Sequence, residues 1–334
     1  MKRYLLPLFA LVGYILLFSG CGTQEEYKTI SGVVMGYSFK IVYKTPPYAP
    51  WSFDSDLKRE LNKYIQDIDK SLSLYHKGSV INQINNNKSM EVDSIFAVVF
   101  RETKRAAQYT GAALNITSKP LQQLWGYNLI HYHTVTNEQV QEILPYVGFD
   151  KMHLKEGRIV KDDPRVTINL NTPGIGYSTD LFAQVLQAHK VVNYMIEAGE
   201  AISCKGVNPS GFPWRVQPDR SSSIVLHLND KSVTIHGKLY ELIRKDNRFF
   251  SYLFDTKTGY PSENPLVNVI IIAESNLTTG LLSLSLFSMG LERSIQFIES
   301  HPGIQGLLFY YEDDVLKTYA TSNLSTRHET QYFP

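Results

Sequence analysis

The sequence predicts an α+β fold in which helices pack against antiparallel sheets. Two stretches, 55–74 and 94–110, carry apolar residues at the three- and four-residue spacing of a helix with one buried face. Strand-like runs separated by turn residues fill much of the remaining chain, which favours antiparallel neighbours. Hydrophobic residues make up 43% of the 334 residues and no internal repeat is visible, so the chain can bury a substantial core.

The N-terminal half combines a predicted hairpin with a series of helices. Polar and apolar residues alternate between 28 and 44 around Gly32 and Gly36, the pattern of a hairpin or of two short strands. Gly111 follows the second helix at the position where a left-handed residue commonly ends one. The other elements predicted in this half are helices at 55–74, 94–110 and 136–147 and strands at 151–154 and 165–170.

The C-terminal half is predicted to contain more strands than helices. It opens with a strongly periodic helix, and its long apolar run at 277–287 contains no ionisable residue. A hairpin around Glu312 and Asp313 closes the pattern. The elements predicted here are helices at 180–198, 277–287 and 291–299 and strands at 222–236, 248–254, 267–273, 306–311 and 315–321.

The charge balance argues against a dedicated nucleic-acid-binding protein. Lys and Arg number 33, Asp and Glu number 32, and the formal net charge is +1. No block of like charge is present, whereas a protein that neutralises nucleic-acid phosphates needs a basic surface. We therefore expect no nucleic-acid partner.

Residues 1–21 have the pattern of a bacterial lipoprotein signal. A short basic start precedes an apolar run, 4–18, that is shorter than the roughly 20 residues of a membrane-spanning helix. Ser19 and Gly20, both small, stand directly before Cys21, which predicts cleavage before the cysteine and attachment of lipid to it. A plain signal peptide and an uncleaved anchor are the alternatives.

This leader determines the expected location and domain organisation. Lipid on Cys21 would make the protein extracytoplasmic and attached to a bacterial membrane, in the periplasm or on the outer face. Cys204, the other of the two cysteines, would then have no intrachain partner. The predicted domains are a signal peptide (1–20), a tether (21–30) and a single domain (31–330) that is one body or two intertwined lobes.

A series of short segments resembles, in order, the motifs of one family. The segments are Met35-Gly36-Tyr37, 74–79 with 82–85, 115–117 with 120–126, 169–180, 206–216, 255–261 and 286–290. Together they resemble the FAD:protein FMN transferase family, the ApbE-type flavin-transferring lipoproteins. The resemblance runs from about Ser31 to Ser322 and implies a T-fold-like ApbE-type architecture.

The resemblance also implies a reaction and its partners. The family moves FMN from FAD to a threonine hydroxyl of a target protein and releases AMP. Chemistry of this kind depends on positioning and charge neutralisation. It calls for a Mg²⁺ ion held by few protein oxygens, an acceptor for the threonine proton, and an apolar or aromatic slot for the isoalloxazine ring. The implied partners are a flavin nucleotide, a protein carrying the acceptor threonine and, through Cys21, a membrane.

The resemblance assigns one set of positions to flavin binding. In this chain they are Met35, Tyr75, Ala113, Leu114, Asn115, Trp125, Asn169 and Ile175. Asn115 and Asn169 stand where the family has Asp, and Ile175 stands where it has Lys. We expect the flavin site to keep part of its shape and to lose charge. Each residue could alternatively be a packing residue, Trp125 above all.

A second set corresponds to the metal site and to the proton acceptor. Thr172 is at the position of a carbonyl ligand, while Gly280 and Leu284 replace the Asp and Thr ligands. Tyr252 replaces the family's His and is the candidate catalytic residue. A hard divalent cation held only by carbonyls and water should bind poorly. Candidate replacement ligands are Glu274, Asp180 and Glu200, none of which has the family spacing.

These substitutions leave readings in different functional classes. In the first, the protein is an FMN transferase that uses substitute residues. In the second, it is a non-catalytic relative that binds flavin, another small ligand or a partner protein. A third interpretation is a periplasmic binding lipoprotein without flavin. The retained Tyr75, Trp125 and Asp255-Thr258-Gly259 elements count against it.

Overall fold

The computed structural model describes residues 27–111, 114–218, 224–237, 243–246, 248–324 and 326–328. The signal segment, Cys21 and the first part of the tether lie outside these residues, so the leader stays a prediction. Within the described ranges, no helix is both long and apolar enough to cross a membrane.

An eight-stranded sheet in which all neighbours are antiparallel forms the centre of the fold and confirms the predicted α+β class. The strands in chain order are β1 (Tyr27–Val34), β2 (Tyr37–Lys44), β3 (Met152–Lys155), β4 (Arg158–Lys161), β5 (Tyr194–Ala198), β6 (Ala201–Lys205), β7 (Trp214–Val216), β8 (Ile224–Leu228), β9 (Lys231–His236), β10 (Ile243–Lys245), β11 (Arg248–Phe254), β12 (Pro261–Glu263), β13 (Leu266–Ala273), β14 (Gln305–Glu312), β15 (Val315–Ala320) and β16 (Thr326–His328). The central sheet has the order β1-β2-β5-β6-β9-β13-β14-β15. Smaller sheets have the orders β16-β8-β7, β10-β11-β12 and β3-β4.

The helices lie mainly on one face of this sheet. They are α1 (Phe53–Leu72), α2 (Val80–Asn85), α3 (Ser94–Thr110), α4 (Lys119–Trp125), α5 (Asn137–Ile143), α6 (Asn171–Ala188), α7 (Asn276–Met289) and α8 (Leu291–Glu299). Helices α6 and α7 pack against the strands and against each other, and α1 and α3 pack on these two helices. Helix α7 is buried on nearly every side, which explains its continuous apolar sequence.

Both faces of the central sheet are buried. In β13, Ile271 belongs to a cluster with Leu286 of α7, while Ile270 belongs to a cluster with Trp214 of the β16-β8-β7 sheet. Successive side chains of a strand point to opposite faces, so a strand covered on both faces is apolar throughout. The sheet therefore forms a rigid platform between the helices and the small sheet.

The structure confirms some predicted elements at their predicted bounds and contradicts others. Helices α3 and α8 and strand β11 coincide with the predictions. The strand predicted at 165–170 was wrong, because this segment alternates in burial but is not paired in a ladder. The helix predicted at 180–198 was also misplaced: it begins at Asn171 and ends at Ala188, and β5 replaces its last turns.

Cys204 packs in β6 within the core between the central sheet and the small sheet. It forms no disulfide. Burial raises the pKa of its thiol to about 12, so the group stays protonated at neutral pH. Cys204 is therefore a packing residue and not a reactive nucleophile.

Candidate functional site

A cavity of about 480 Å³ opens at the N-terminal end of α6. This volume lies within the usual range of small-molecule sites. The described residues that line it are Tyr37, Ile116, Gln122, Gly126, Asn128, Leu129, Asn169, Asn171, Thr172, Pro173, Glu200, His236, Ile243, Leu253, Phe254 and Leu284. They come from distant parts of the chain, so the cavity exists only in the folded protein.

The lining combines apolar side chains with uncharged amides. The apolar members include Ile116, Leu129, Ile243, Leu253, Phe254 and Leu284, and the amide members are Gln122, Asn128, Asn169 and Asn171. Among the described lining residues Glu200 is the one carboxylate, and none is Lys or Arg. Such a surface suits a flat ring with hydrogen-bonding groups along its edge better than a ligand held by its charge.

Asn169 and Asn171 present their amides at the start of α6. The Oδ1 of Asn169 accepts a hydrogen bond from the backbone N–H of Asn171 at 2.9 Å, which stabilises the first helical turn. The Nδ2 of Asn171 donates to the Tyr37 hydroxyl at 3.3 Å. Its Oδ1 is buried and has no partner among the described residues. Because leaving a buried acceptor unpaired costs about 1–3 kcal/mol, this oxygen is a candidate acceptor for a ligand N–H or O–H.

Glu200 and His236 form a hydrogen-bonded pair in the same cavity. Glu200 lies in the turn between β5 and β6, and its carbonyl accepts the N–H of Ile235 at 3.0 Å, so its side chain reaches the end of β9. The Nδ1 of His236 lies 2.9 Å from Glu200 Oε2. His236 is 3% exposed, and its ring contacts Phe287 edge-on with a centroid separation of 5.3 Å. These contacts fix the orientation of the imidazole.

The structure brings together the three positions assigned to the metal. Thr172 and Leu284 both line the cavity. A Cβ added to Gly280 would lie 3.6 Å from the Thr172 carbonyl oxygen and 3.8 Å from Thr234 Oγ1. Gly280 and Leu284 are four residues apart on α7 and therefore share a helix face. The register taken from the motifs thus places these residues next to one another.

These three positions do not fit a Mg²⁺ ion. Gly280 has no side chain and the Leu284 side chain carries no oxygen, so the set offers no carboxylate, and its only side-chain oxygen is the Thr172 hydroxyl. Mg²⁺ usually needs one or two carboxylates in addition to water and phosphate oxygens. In the described part of the chain, no group of three or more His, Cys, Asp and Glu side chains could hold a metal ion.

Of the three candidate replacement ligands, only Glu200 lines the cavity. Asp180 accepts hydrogen bonds from the Asn276 and Leu277 N–H groups at 2.7 and 2.9 Å, which stabilises the start of α7. Burial raises the pKa of the Asp180 carboxyl, although these hydrogen bonds oppose the shift. Glu274 forms an ion pair with Lys231 at the surface. Asp180 and Glu274 therefore have structural partners outside the cavity.

Met35 and Tyr75, both assigned to flavin, meet at the hairpin turn beside α6 and not in the cavity lining. Met35 and Gly36 have positive φ angles of 52° and 82°, as a two-residue turn between twisted strands requires. The Met35 N–H donates to Asp69 Oδ1 at 2.7 Å, and its side chain is fully buried against Gly174. Tyr75 is 73% exposed and its ring covers Gly36. Tyr75 is thus available to a ligand, whereas Met35 is enclosed.

Trp125, Leu114 and Ile175 are buried. The Nε1 of Trp125 donates to the Gly259 carbonyl at 2.9 Å, which links α4 to the turn before β12. Leu114 lines a neighbouring cavity of about 1230 Å³, and Phe254 lines both cavities. Ile175 lies on the buried side of α6. Asn169 thus lines the smaller cavity, while Trp125 and Ile175 occupy packing positions next to it.

Some predicted site residues lie outside the described part of the chain. They are Cys21, Ala113 and the side chains of Asn115 and Tyr252. Their assignments to lipid, flavin and proton transfer stay predictions.

The sequence analysis did not single out Tyr37, Asn171 and His236. Tyr37 and Asn171 lie within the matching motif segments, so their neighbours Met35 and Asn169 could have pointed to them. His236 follows a run of alternating residues at the end of a predicted strand, which by itself gives no functional signal. Only the pairing of β6 with β9 brings it beside Glu200.

The chain is similar to known proteins over most of its length. Residues 35–308 match the ApbE family. An FAD:protein FMN transferase from Vibrio cholerae serotype O1 is 29% identical and covers 97% of this chain and 98% of its own length. One from Haemophilus influenzae is 26% identical and covers 90% of this chain and 91% of its own length.

A solved structure shows the same architecture. The flavin transferase ApbE from Vibrio cholerae matches with a TM-score of 0.77 at 28% identity, over 89% of this chain and 97% of that chain. The ApbE-type architecture expected from the motifs is therefore confirmed. With the family match extending over most of the sequence, this chain belongs to the ApbE family.

Proposed function

We propose that this chain binds FAD in the cavity at the start of α6 and transfers its FMN moiety to a threonine hydroxyl of a target protein. The cavity's lining carries this proposal, because its apolar and amide groups match the faces and the polar edge of an isoalloxazine ring. The similarity to FAD:protein FMN transferases over nearly the whole chain supports the same reaction.

A second candidate function is flavin binding without transfer. What favours it is that the side chains at positions 280 and 284 carry no oxygen that could hold a metal ion together with the Thr172 carbonyl. FAD carries a pyrophosphate, and the described lining of the cavity holds no Lys or Arg to neutralise it. The cavity could therefore bind the isoalloxazine ring without catalysing transfer at the phosphate.

We expect FAD to bind and Asn171→Leu to weaken its binding about tenfold. The substitution removes the unpartnered Oδ1 and the bond to Tyr37 at similar volume, which is worth about 1–2 kcal/mol. Titration of the protein domain with FAD, followed by flavin fluorescence, measures the affinity.

The matched control is Asn86→Leu, which removes an exposed amide at the end of α2, outside the cavity. It should bind FAD as tightly as the unaltered protein. No fluorescence change at millimolar FAD would contradict flavin binding altogether, and equal affinities for all three proteins would contradict the location.

A transfer assay separates the two candidates. The protein is incubated with FAD, Mg²⁺ and a threonine peptide of the type that the family modifies. The mass of the peptide is then measured by mass spectrometry. A threonine–FMN adduct supports transfer, whereas FAD binding without an adduct supports the binding-only candidate.

We also propose that the protein is an extracytoplasmic lipoprotein attached through Cys21. The small residues before this cysteine support the proposal. Cys21→Ala should move the protein from the membrane fraction to the soluble fraction, because the lipid is its only proposed attachment. Ser19→Thr, which keeps the cysteine, serves as the control. Unchanged fractionation of the Cys21→Ala protein would contradict lipid attachment at this residue.

A further inference from the structure

We propose that the surface around the start of β1 lies on the membrane that carries the lipid of Cys21, with the rings of Tyr48 and Trp51 in the headgroup region. This inference rests on the proposed lipid attachment and adds a contact between the folded domain and the lipid surface. The exposed side chains that form this contact face are those of Tyr48, Trp51, Val192, Val207 and Phe212.

The loop between β2 and α1 presents two large aromatic side chains to the surroundings. Trp51 is 99% exposed and Tyr48 is fully exposed, although burial of such rings is strongly favourable. The loop has a defined shape, because the Phe53 N–H donates to the Pro50 carbonyl at 2.9 Å. Tryptophan and tyrosine are the residues enriched where a protein meets the boundary between membrane and water. These two rings therefore suit a lipid headgroup region.

The contact face lies where the tether enters the fold. Tyr27, the first residue of β1, pairs with Lys44, the last residue of β2, so the loop that carries Tyr48 and Trp51 begins beside the start of β1. Tyr27 follows Cys21 by six residues, which limits the distance between them to about 20 Å. A lipid on Cys21 would therefore hold this side of the protein close to the membrane surface.

Hydrogen bonds bring further apolar side chains to the same place. The Tyr27 hydroxyl donates to the Val207 carbonyl at 2.6 Å. Asn193 joins the neighbouring segments, because its carbonyl accepts the Lys44 N–H and its Oδ1 accepts the Val207 N–H, both at 2.9 Å. Exposed apolar side chains that lie together are typical of a surface with a partner. Those contributed by these segments are Val192, Val207 and Phe212.

A membrane contact at this end of the β1–β2 hairpin directs its other end away from the lipid. The eight residues of β1, at about 3.4 Å each, place the Met35–Gly36 turn about 27 Å from the start of the strand. Tyr75, whose ring covers Gly36, would then face an approaching target protein. Because even one acyl chain binds a membrane only marginally, these few side chains orient the attached protein and do not replace its lipid.

Tryptophan emission reports this contact selectively. The chain has three tryptophans, of which Trp125 and Trp214 are buried. The full lipid-carrying protein is placed in phosphatidylcholine vesicles whose acyl chains bear bromine, a short-range quencher, near the headgroups. We expect the emission to be about a third lower than in vesicles without bromine, which is the share of one tryptophan in three. Trp51→Phe should abolish this quenching.

The matched control moves the exposed tryptophan to the other end of the same hairpin. In the Trp51→Phe, Val33→Trp double variant, the new ring replaces an exposed residue beside the Met35–Gly36 turn. The tether and its lipid are the same in both proteins. The ring at position 33 should be quenched by acrylamide in the water and not by bromine in the lipid.

Each outcome bears on the inference in a defined way. Mass spectrometry of the purified protein shows separately whether Cys21 carries lipid. If it does and Trp51 emits equally in both kinds of vesicle, the contact face does not lie on the membrane, although the attachment stands. If Trp51 is shielded from both bromine and acrylamide, a protein surface such as a second copy covers it, and the inference is again wrong. If Cys21 carries no lipid, the attachment is contradicted and the inference fails with it.

Discussion

Gly176→Ala is expected to destabilise the protein by about 3 kcal/mol, although alanine favours a helix interior by about 1 kcal/mol over glycine. Gly176 lies inside α6 where this helix crosses the start of α7. A Cβ at this position would lie 2.5 Å from the Asn276 carbonyl oxygen and 3.0 Å from the Leu277 nitrogen. Both atoms belong to the backbone of α7, so they cannot rotate away as a flexible side chain would.

Whether Gly176→Ala lowers or raises the stability shows which is larger, the steric cost of the added Cβ or the helix propensity of alanine. If helix propensity dominated, the variant would melt at a higher temperature, whereas close packing of α6 and α7 requires a lower one. Urea unfolding of the purified domain measures the free energy of unfolding. Gly303→Ala is the control, because a Cβ there meets no atom within 4 Å and no unusual backbone angle is required. Equal stability of the Gly176→Ala variant and the unaltered protein would contradict the close contact.

Elements with local end signals could be predicted from the sequence to the residue. Helix α3 begins after Asp93, whose carboxylate accepts the Phe96 N–H at 2.8 Å, and ends at Gly111, whose φ is 62°. Both signals are legible in the sequence because capping involves residues only a few positions apart. Helix α6 has no capping side chain at its N-cap residue, Leu170, and Asn169, one residue earlier, accepts the first N–H instead, so the usual cap pattern does not mark its start.

The segment 165–170 shows why periodicity alone misassigned a strand. Its buried and exposed side chains alternate as predicted, but its backbone groups bond elsewhere than in a ladder. The Ile168 N–H donates to Asn85 Oδ1 at 2.8 Å, and the Asn169 N–H donates to the Ile116 carbonyl at 2.7 Å. Such partners lie far away in sequence, and no local pattern specifies them.

The candidate site was predictable only where it follows the motifs. The motif register placed Thr172, Gly280 and Leu284 together; in the structure Thr172 and Leu284 line one cavity, and Gly280 lies beside Thr172. Glu200, in the turn before β6, meets His236 at the end of β9 because β6 pairs with β9, so nothing local in the sequence links the two residues. The sequence therefore indicates which side chains could take part in a site, but the pairing of distant strands determines which of them lie next to one another.

A carboxylate at position 280 together with a hydroxyl at position 284 should create a Mg²⁺-dependent gain in stability. In the Gly280→Asp, Leu284→Thr double variant, a carboxylate would be placed beside the Thr172 carbonyl, and a hydroxyl would be added on the same face of α7. A Cβ at Gly280 fits, because its nearest neighbours lie at ordinary contact distances of 3.6 to 3.8 Å. This position therefore differs from Gly176, where the added carbon itself is excluded.

The magnitude follows from binding linkage. Without metal, the double variant should be less stable than the unaltered protein, because an unpaired carboxylate in a buried helix costs several kcal/mol or must stay protonated. At a Mg²⁺ concentration about 100 times the dissociation constant, binding to the folded state should restore about 2.7 kcal/mol. Thermal melting with and without Mg²⁺ measures this difference, and the unaltered protein should show no comparable shift.

Gly280→Asn with Leu284→Thr is the control for shape without charge. Because Mg²⁺ prefers anionic oxygen ligands, an amide of the same size should give little Mg²⁺-dependent stabilisation. A shift in the carboxylate variant alone would show that a negative charge at position 280 is what allows Mg²⁺ to bind beside Thr172. If the two variants melt at the same temperature in Mg²⁺, the carboxylate at position 280 does not hold the ion together with the Thr172 carbonyl. That result would contradict the assignment of these positions to a metal site.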